Sequence, residues 1–147
     1  MELNDPAATP KHRALVVDDD ALQRRMFGDA LSARGFSVVE ADGAEAALGI
    51  LAERGPVDLV ITDLWMPNAH GEQLVKALRA READGASPLV IVVTAEVTSK
   101  LELSLQEAGA DAVLSKRLGA PLISAAAQML VSASAPVAAR SKSDAAA

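Results

Sequence analysis

The sequence predicts an α/β fold: a doubly wound parallel sheet of five strands with helices on both faces. Two observations carry that expectation. Short apolar runs without polar alternation, such as Leu15-Val16-Val17, Leu59-Val60-Ile61-Thr62 and Leu89 to Val93, read as strands buried on both faces. Between them lie segments with apolar residues at three- and four-residue spacing. This strand-helix alternation repeats five times, and short crossovers of that kind wind helices over both faces of one sheet.

Residues 14–18 form the first strand. The first helix follows from about Ala21 to Arg34, with Leu22, Met26, Phe27, Ala30 and Leu31 on its inward face and Gly35 as its stop. Phe36 to Glu40 is the second strand. Asp42 and Glu45 form a capping-box pair opening a second helix that runs to Arg54 and ends at Gly55. Leu59 to Thr62 is the third strand, and the loop Leu64 to His70 leads into a helix from about Glu72 to Arg81, with Leu74, Val75 and Leu78 facing inward. Asp84-Gly85-Ala86-Ser87-Pro88 is a turn cluster before the fourth strand, Leu89 to Thr94. Ser99 and Glu102 suggest a further capping box, for a helix to Ala108 that stops at Gly109. Ala112 to Ser115 is the fifth strand, and Pro121 suits the first turn of a last helix, about Pro121 to Ser132.

The organisation that follows is a flexible N-terminal segment (1–12), one domain (13–132) and an Ala/Ser-rich disordered tail or linker (133–147), too poor in apolar area to order itself. At 147 residues the chain has room for one domain with a sizeable core. It has no cysteine, hence no disulfide framework, thiol nucleophile or zinc-thiolate site. Met1 to Lys11 is polar, with Pro6 and Pro10, unlike a signal peptide, and no apolar stretch is long enough to cross a bilayer. A cytoplasmic protein without membrane attachment is expected. The formal charge of −6 and the scarcity of aromatic residues argue against direct nucleic-acid binding.

Four strand ends carry the chemistry. In an open parallel sheet the carboxyl ends of the strands line one rim, where ligands bind. The first strand runs into Asp18-Asp19-Asp20, the third into Asp63, the fourth ends at Thr94 and the fifth is followed by Lys116. Asp63 alone would read as a turn residue; four matching ends make it the candidate nucleophile, able to attack phosphorus and form an acyl phosphate. One acid of the Asp18-Asp19-Asp20 run suffices to cap the first helix, and Asp20 fits that role. The remaining carboxylates beside Asp63 would repel one another, a conflict that a hard divalent cation removes. Magnesium is the expected ion, with Asp19 and Asp63 as direct ligands, Asp18 acting directly or through water, and the backbone carbonyl of Trp65 completing the set. Thr94 and Lys116 would contact the phosphoryl oxygens by hydrogen bond and by charge.

With these residues in place, the chain resembles the receiver domain of two-component response regulators, including the bacterial chemotaxis regulator. The matching stretches are Val16-Val17-Asp18-Asp19-Asp20, Asp63-Leu64-Trp65-Met66-Pro67-Asn68 with Gly71, Val93-Thr94-Ala95, and Ala108-Gly109-Ala110 followed by Lys116. They span about residues 13 to 131. The resemblance implies a flavodoxin-like sheet in the order 2-1-3-4-5. It implies that Asp63 takes a phosphoryl group from a phosphohistidine on a histidine kinase or phosphotransfer protein, with Asp18 and Asp19 holding Mg2+ while Thr94 and Lys116 sense and stabilise the phosphoryl. It further implies a switch that acts on a downstream protein target and catalyses only its own phosphorylation and slow dephosphorylation. It leaves room for a homodimer through helix four, strand five and helix five.

Four positions depart from that pattern. Arg117 stands where the family usually has proline after its lysine, so either a costly non-proline cis bond forms or the loop is rebuilt. Val113 replaces a common aromatic, His70 a frequent acid before Gly71, and Trp65 is large for its place two residues after Asp63. Trp65 either slows water attack or packs on the rim; His70 reads as a surface histidine. A magnesium-dependent aspartyl phosphatase would need a second acid where Trp65 stands, and a flavodoxin-like cofactor binder would need a phosphate loop where the three acids stand. The expected role is a stand-alone phosphoacceptor receiver, the alternative being a fragment of a larger response regulator or hybrid kinase. Arg24 and Arg25 read as solvated helix charges, or as contacts for an acidic partner surface.

Overall fold

Residues 12–81 and 87–134 are described in the computed structural model of the chain, and they alternate strand and helix throughout. The strands are β1 (His12–Val17), β2 (Phe36–Ala41), β3 (Leu59–Asp63), β4 (Leu89–Thr94) and β5 (Ala112–Ser115). The helices are α1 (Ala21–Ser32), α2 (Ala44–Arg54), α3 (Gly71–Ala80), α4 (Ser99–Ala108) and α5 (Ala120–Ala133), with a 3₁₀ turn at Lys116–Leu118. All neighbouring strands pair in parallel in the order β2-β1-β3-β4-β5, as the resemblance implied.

The apolar runs bury both faces, as continuous runs in a parallel sheet should. Alternation along the strands divides the core into two layers. Ala14, Val16, Leu59, Ile61, Ile91 and Val93 meet Phe27 and Leu31 of α1 and Ile123, Ala127 and Val131 of α5. Leu15, Val17, Val60, Val90, Val92 and Val113 meet Ala47 of α2, Leu74, Val75 and Leu78 of α3 and Leu105 of α4. Each fully buried Leu or Ile contributes about 2 kcal/mol by leaving water, so neither layer is dispensable.

Several local expectations change. β1 starts at His12, inside the expected flexible segment, and ends at Val17, one residue before Asp18. Leu22 and Met26 of α1 are exposed rather than inward. The first turns of α1 overhang the polar rim, and the stripe that meets apolar surface is Phe27, Gly28 and Leu31. The N-cap of α2 is Gly43, without a side-chain cap, so Asp42 and Glu45 form no capping box there. Thr98, not Ser99, caps α4, its hydroxyl accepting from the Leu101 amide at 3.1 Å. For α3 the Gln73 side chain accepts from the His70 amide at 2.8 Å, an arrangement the sequence reading missed. Gly55 and Gly109, at φ of 84° and 121°, end α2 and α4 as expected. α1 stops at Ser32, earlier than expected, and α5 extends to Ala133. The N-terminal segment before His12, turn residues Asp84 to Ala86 and the tail beyond Ser134 lie outside the described residues.

The end of the sheet away from the strand carboxyl ends is pinned by Arg79 of α3. Its guanidinium donates to the carbonyls of Gly109 and Pro88 at 2.9 Å each, to Ser87 Oγ at 3.2 Å and to Asp111 Oδ2 at 2.9 Å. Asp111 also accepts from the Val90 amide at 2.8 Å, so the entries to β4 and β5 are joined.

α3 begins hard against β3. The Gly71 amide donates to the Leu64 carbonyl at 2.7 Å. A Cβ at Gly71 would run into the Asp63 carbonyl oxygen and stand 3.0 Å from Leu64 Cα, both backbone atoms that cannot swing aside. Gly71→Ala is therefore expected to destabilise the chain by about 2 kcal/mol through overpacking. A lowered urea midpoint would show it; an unchanged midpoint would mean the close approach is not tight.

Candidate functional site

The strand order reverses between β1 and β3, and the crevice at such a switch point opens at the strand carboxyl ends. Val17 pairs with Thr62, Asp63 with Val93 and Thr94 with Ser115, so the residues that follow each strand reach one rim. There the structure brings Asp18, Asp19 and Asp63 together, with a carboxylate oxygen of each within 4.8 Å of the others.

The three consecutive acids have separate tasks. Asp18 is 1 % exposed, and its Oδ1 accepts from the Asp20 amide at 2.9 Å. Asp20 caps α1, accepting from the Leu22 amide at 2.9 Å and the Gln23 amide at 3.4 Å, as expected. Asp19 is exposed and turns to the crevice. Asp63 closes β3 and is 7 % exposed. Lys116 arrives from the 3₁₀ turn after β5 and spans the two buried acids, with Nζ 3.0 Å from Asp63 Oδ1 and 3.3 Å from Asp18 Oδ2.

One ammonium does not balance this cluster. Burial, and then the charge of Asp63, hold the Asp18 carboxyl above the ordinary aspartate range despite the Asp20 amide and Lys116. Burial works against the Lys116 ammonium too, but its hydrogen bond to Asp63 and the charges of both acids outweigh it and raise its pKa. The charged form of Asp18 is thus disfavoured in the folded chain relative to the unfolded one. That cost is present at neutral pH and is relieved as pH falls through the raised folded value. Asp18→Asn keeps an oxygen for the Asp20 amide and removes the charge. Without added metal it is expected to melt above the wild type at neutral pH, the gain shrinking on acidification. Thermal melts in a chelator across pH check this, and a lower melting temperature at neutral pH would contradict it.

Thr94 is buried at the end of β4 and lines a cavity of about 490 Å³ with Trp65, Ala95, Glu96, Thr98, Leu101 and Arg117. Trp65 is 61 % exposed at the rim and meets the His70 ring edge-on, with centroids 5.0 Å apart. Arg117 has no cis bond, and none occurs among the described residues. The loop is rebuilt as the 3₁₀ turn, in which Ser115 Oγ is the cap, accepting from the Arg117 amide at 3.1 Å. Val113 is buried among the side chains facing α2, α3 and α4. Asn68, at φ 72°, takes the left-handed conformation that asparagine tolerates and turns the β3–α3 loop.

Two neighbours of the site were missed as such. Gly71 was noted only as part of a motif. Arg24 is not a solvated helix charge: its guanidinium points into the rim, donating to the Asp18 carbonyl at 2.7 Å. Its spacing four residues after the N-cap Asp20 was the available signal, since that places it under the acid loop.

Comparison with known proteins bears on the family and the fold. A family model described as "Response regulator receiver domain" matches residues 14–128. The chain is 37 % identical over 123 residues to the sensory/regulatory protein RpfC of Xanthomonas campestris pv. campestris, covering 82 % of this chain but 17 % of that protein. It is 30 % identical over 100 residues to the two-component response regulator ORR5 of Oryza sativa subsp. japonica, covering 68 % of this chain and 75 % of that one. Among solved structures it is similar to the chemotaxis response regulator CheY4 of Vibrio cholerae, with a TM-score of 0.72 at 26 % identity, covering 82 % and 98 % of the two chains. A response regulator receiver protein from Pseudomonas putida gives a TM-score of 0.68 at 32 % identity, covering 80 % and 98 %.

Proposed function

Because this chain belongs to the response regulator receiver domain family of two-component systems, we propose that it is a phosphorylation-controlled switch whose acceptor is Asp63. The observation that carries the proposal is the Lys116 ammonium spanning Asp63 and Asp18, beside three carboxylates gathered at the switch point. The donor fits a phosphohistidine on a histidine kinase or phosphotransfer protein. A carboxylate oxygen of Asp63 attacks phosphorus, the phosphorus–nitrogen bond breaks, and the imidazole leaves with its electron pair and takes a proton. Asp63 is left as an acyl phosphate.

The donor set fits Mg2+: crowded carboxylate oxygens, one exposed acid, and a charge surplus that Lys116 does not cancel. Asp18, Asp19, Asp63 and the Trp65 carbonyl would hold it, and it would neutralise charge on the transferring phosphoryl. Lys116 holds Asp63 in place and meets the phosphoryl oxygens once they arrive. Thr94, buried one residue beyond the partner of Asp63 on β4, lines the neighbouring cavity with Trp65 and Arg117, and its hydroxyl is the candidate hydrogen-bond donor to the phosphoryl. A new dianion at this rim biases the packing around β4 and β5, and with it the contacts offered to a downstream protein.

Exposure to acetyl phosphate with magnesium should add one phosphoryl group per chain, read by intact mass. Absence of that mass would overturn the proposal, and steady release of phosphate from phosphoesters would point to a phosphatase. The chain spans 17 % of RpfC and 10 % of the sensor histidine kinase RcsC of Salmonella typhimurium, and this favours a second reading in which it serves as the receiver unit of a larger regulator or hybrid kinase. Among the described residues no helix is long and apolar enough to cross a membrane.

A further inference from the structure

We infer that Arg24 is a positioning residue for the acid loop, and that it strengthens Mg2+ binding although it is itself a cation. The inference rests on the magnesium-dependent reading of the same site. Arg24 lies one turn into α1, its amide bonded to the Asp20 carbonyl at 3.0 Å. Its side chain is 19 % exposed and reaches back toward β1. Nη1 donates to the backbone carbonyl of Asp18 at 2.7 Å, and Nε stands 3.4 Å from Glu40 Oε1 on β2. Asp18's own amide donates to the Ala41 carbonyl at 3.1 Å. Both peptide groups flanking Asp18 are therefore tied, one to the end of β2 and one to α1.

The tie has a direction. The Asp18 carbonyl belongs to the peptide plane that joins Asp18 to Asp19, so fixing it orients the stems of both carboxylates at once. A short charge-assisted hydrogen bond is a strong way to hold a carbonyl. Glu40 grips the guanidinium from the far side and offsets its charge, so that Arg24 positions the acids without adding a bare positive charge beside them.

Charge and positioning predict opposite signs. Coulomb repulsion alone says that deleting a positive charge near a cation site tightens the cation. Positioning says that freeing the Asp18–Asp19 peptide weakens it, because groups outside the ligands hold the ligands in their productive arrangement. Arg25 supplies the control. It carries the same charge on the next residue, but its side chain is 77 % exposed and pairs with Asp29 at 3.7 Å on the surface.

The test is Mg2+ titration of the full chain by calorimetry and by the emission of Trp65, the one tryptophan, which stands at the rim. Arg24→Met is expected to bind Mg2+ about tenfold more weakly than wild type, the usual scale for losing an outer partner of a metal site. Arg24→Lys keeps the charge but cannot span both Asp18 and Glu40, and should recover part of the loss; Arg25→Met should bind as wild type or slightly tighter. Equal or tighter binding by Arg24→Met would overturn the inference while leaving the proposed function intact. Should Arg24→Met not fold, Arg24→Lys decides alone: about threefold weaker binding supports positioning, and wild-type affinity overturns it. A wild type that binds no Mg2+ would overturn the underlying reading and the inference together.

Discussion

Asp63→Asn is expected to abolish phosphorylation by acetyl phosphate in the presence of magnesium, by at least about a thousandfold in rate, since an amide is no nucleophile at phosphorus. The substitution is nearly isosteric and leaves β3 and the Gly71 contact intact, because the latter involves the Asp63 backbone. It also removes one of the crowded carboxylates beside Asp18. The variant should therefore fold at least as well as the wild type without metal, so that loss of labelling with an undiminished melting temperature assigns the acceptor. Labelling that persists at the wild-type rate would place the acceptor elsewhere.

Lys116→Met has the second largest expected effect, and it acts on two properties. The ammonium is the contact shared by Asp18 and Asp63, at 3.3 Å and 3.0 Å, and methionine preserves only the length of its stem. Two buried acids are then left without their cation, a loss expected to destabilise the metal-free chain by about 2 kcal/mol, less than for a fully enclosed pair because Lys116 keeps some contact with water. Removing one cation from the oxygens that gain charge should slow phosphorylation by about a hundredfold even at saturating magnesium. The raised pKa of Lys116 adds a pH signature. Its stabilising contribution is complete below the ordinary lysine value and is lost as pH climbs through the higher folded value, so wild type and variant should converge in stability only in strong alkali. Denaturant titrations at neutral and alkaline pH check this, and a constant difference between the two proteins would refute it.

The fold was legible because a parallel sheet covered on both faces writes its strands as unbroken apolar runs. Leu59 to Ile61 and Leu89 to Val93 admit little else, and their ends named Asp63 and Thr94 without help from tertiary detail. Helix starts were harder. Where Asp42 precedes Gly43, and Thr98 precedes Ser99, adjacent residues compete for the N-cap, and the path of the chain leaving the strand decides between them. The inward face of α1 was misassigned for a related reason. Hydrophobic periodicity marks what could be buried, but in the first turns of α1 Leu22 and Met26 stay exposed and Arg24 finds a carbonyl and a carboxylate. The role of Gly71 was hidden similarly, since nothing local shows that its Cα will rest on the backbone of Asp63 and Leu64.

The two ends of the sheet are built to opposite mechanical purposes. At the base, one guanidinium rivets α3 to the strand entries of β4 and β5 through neutral carbonyls and a paired aspartate, contacts indifferent to phosphate or cation. At the rim the neighbouring strands β1 and β3 lead into mutually repelling carboxylates. On the proposed function, a phosphoryl group on Asp63 would work against that clamped base, and the movement it caused would be expected in the rim loops rather than in the core.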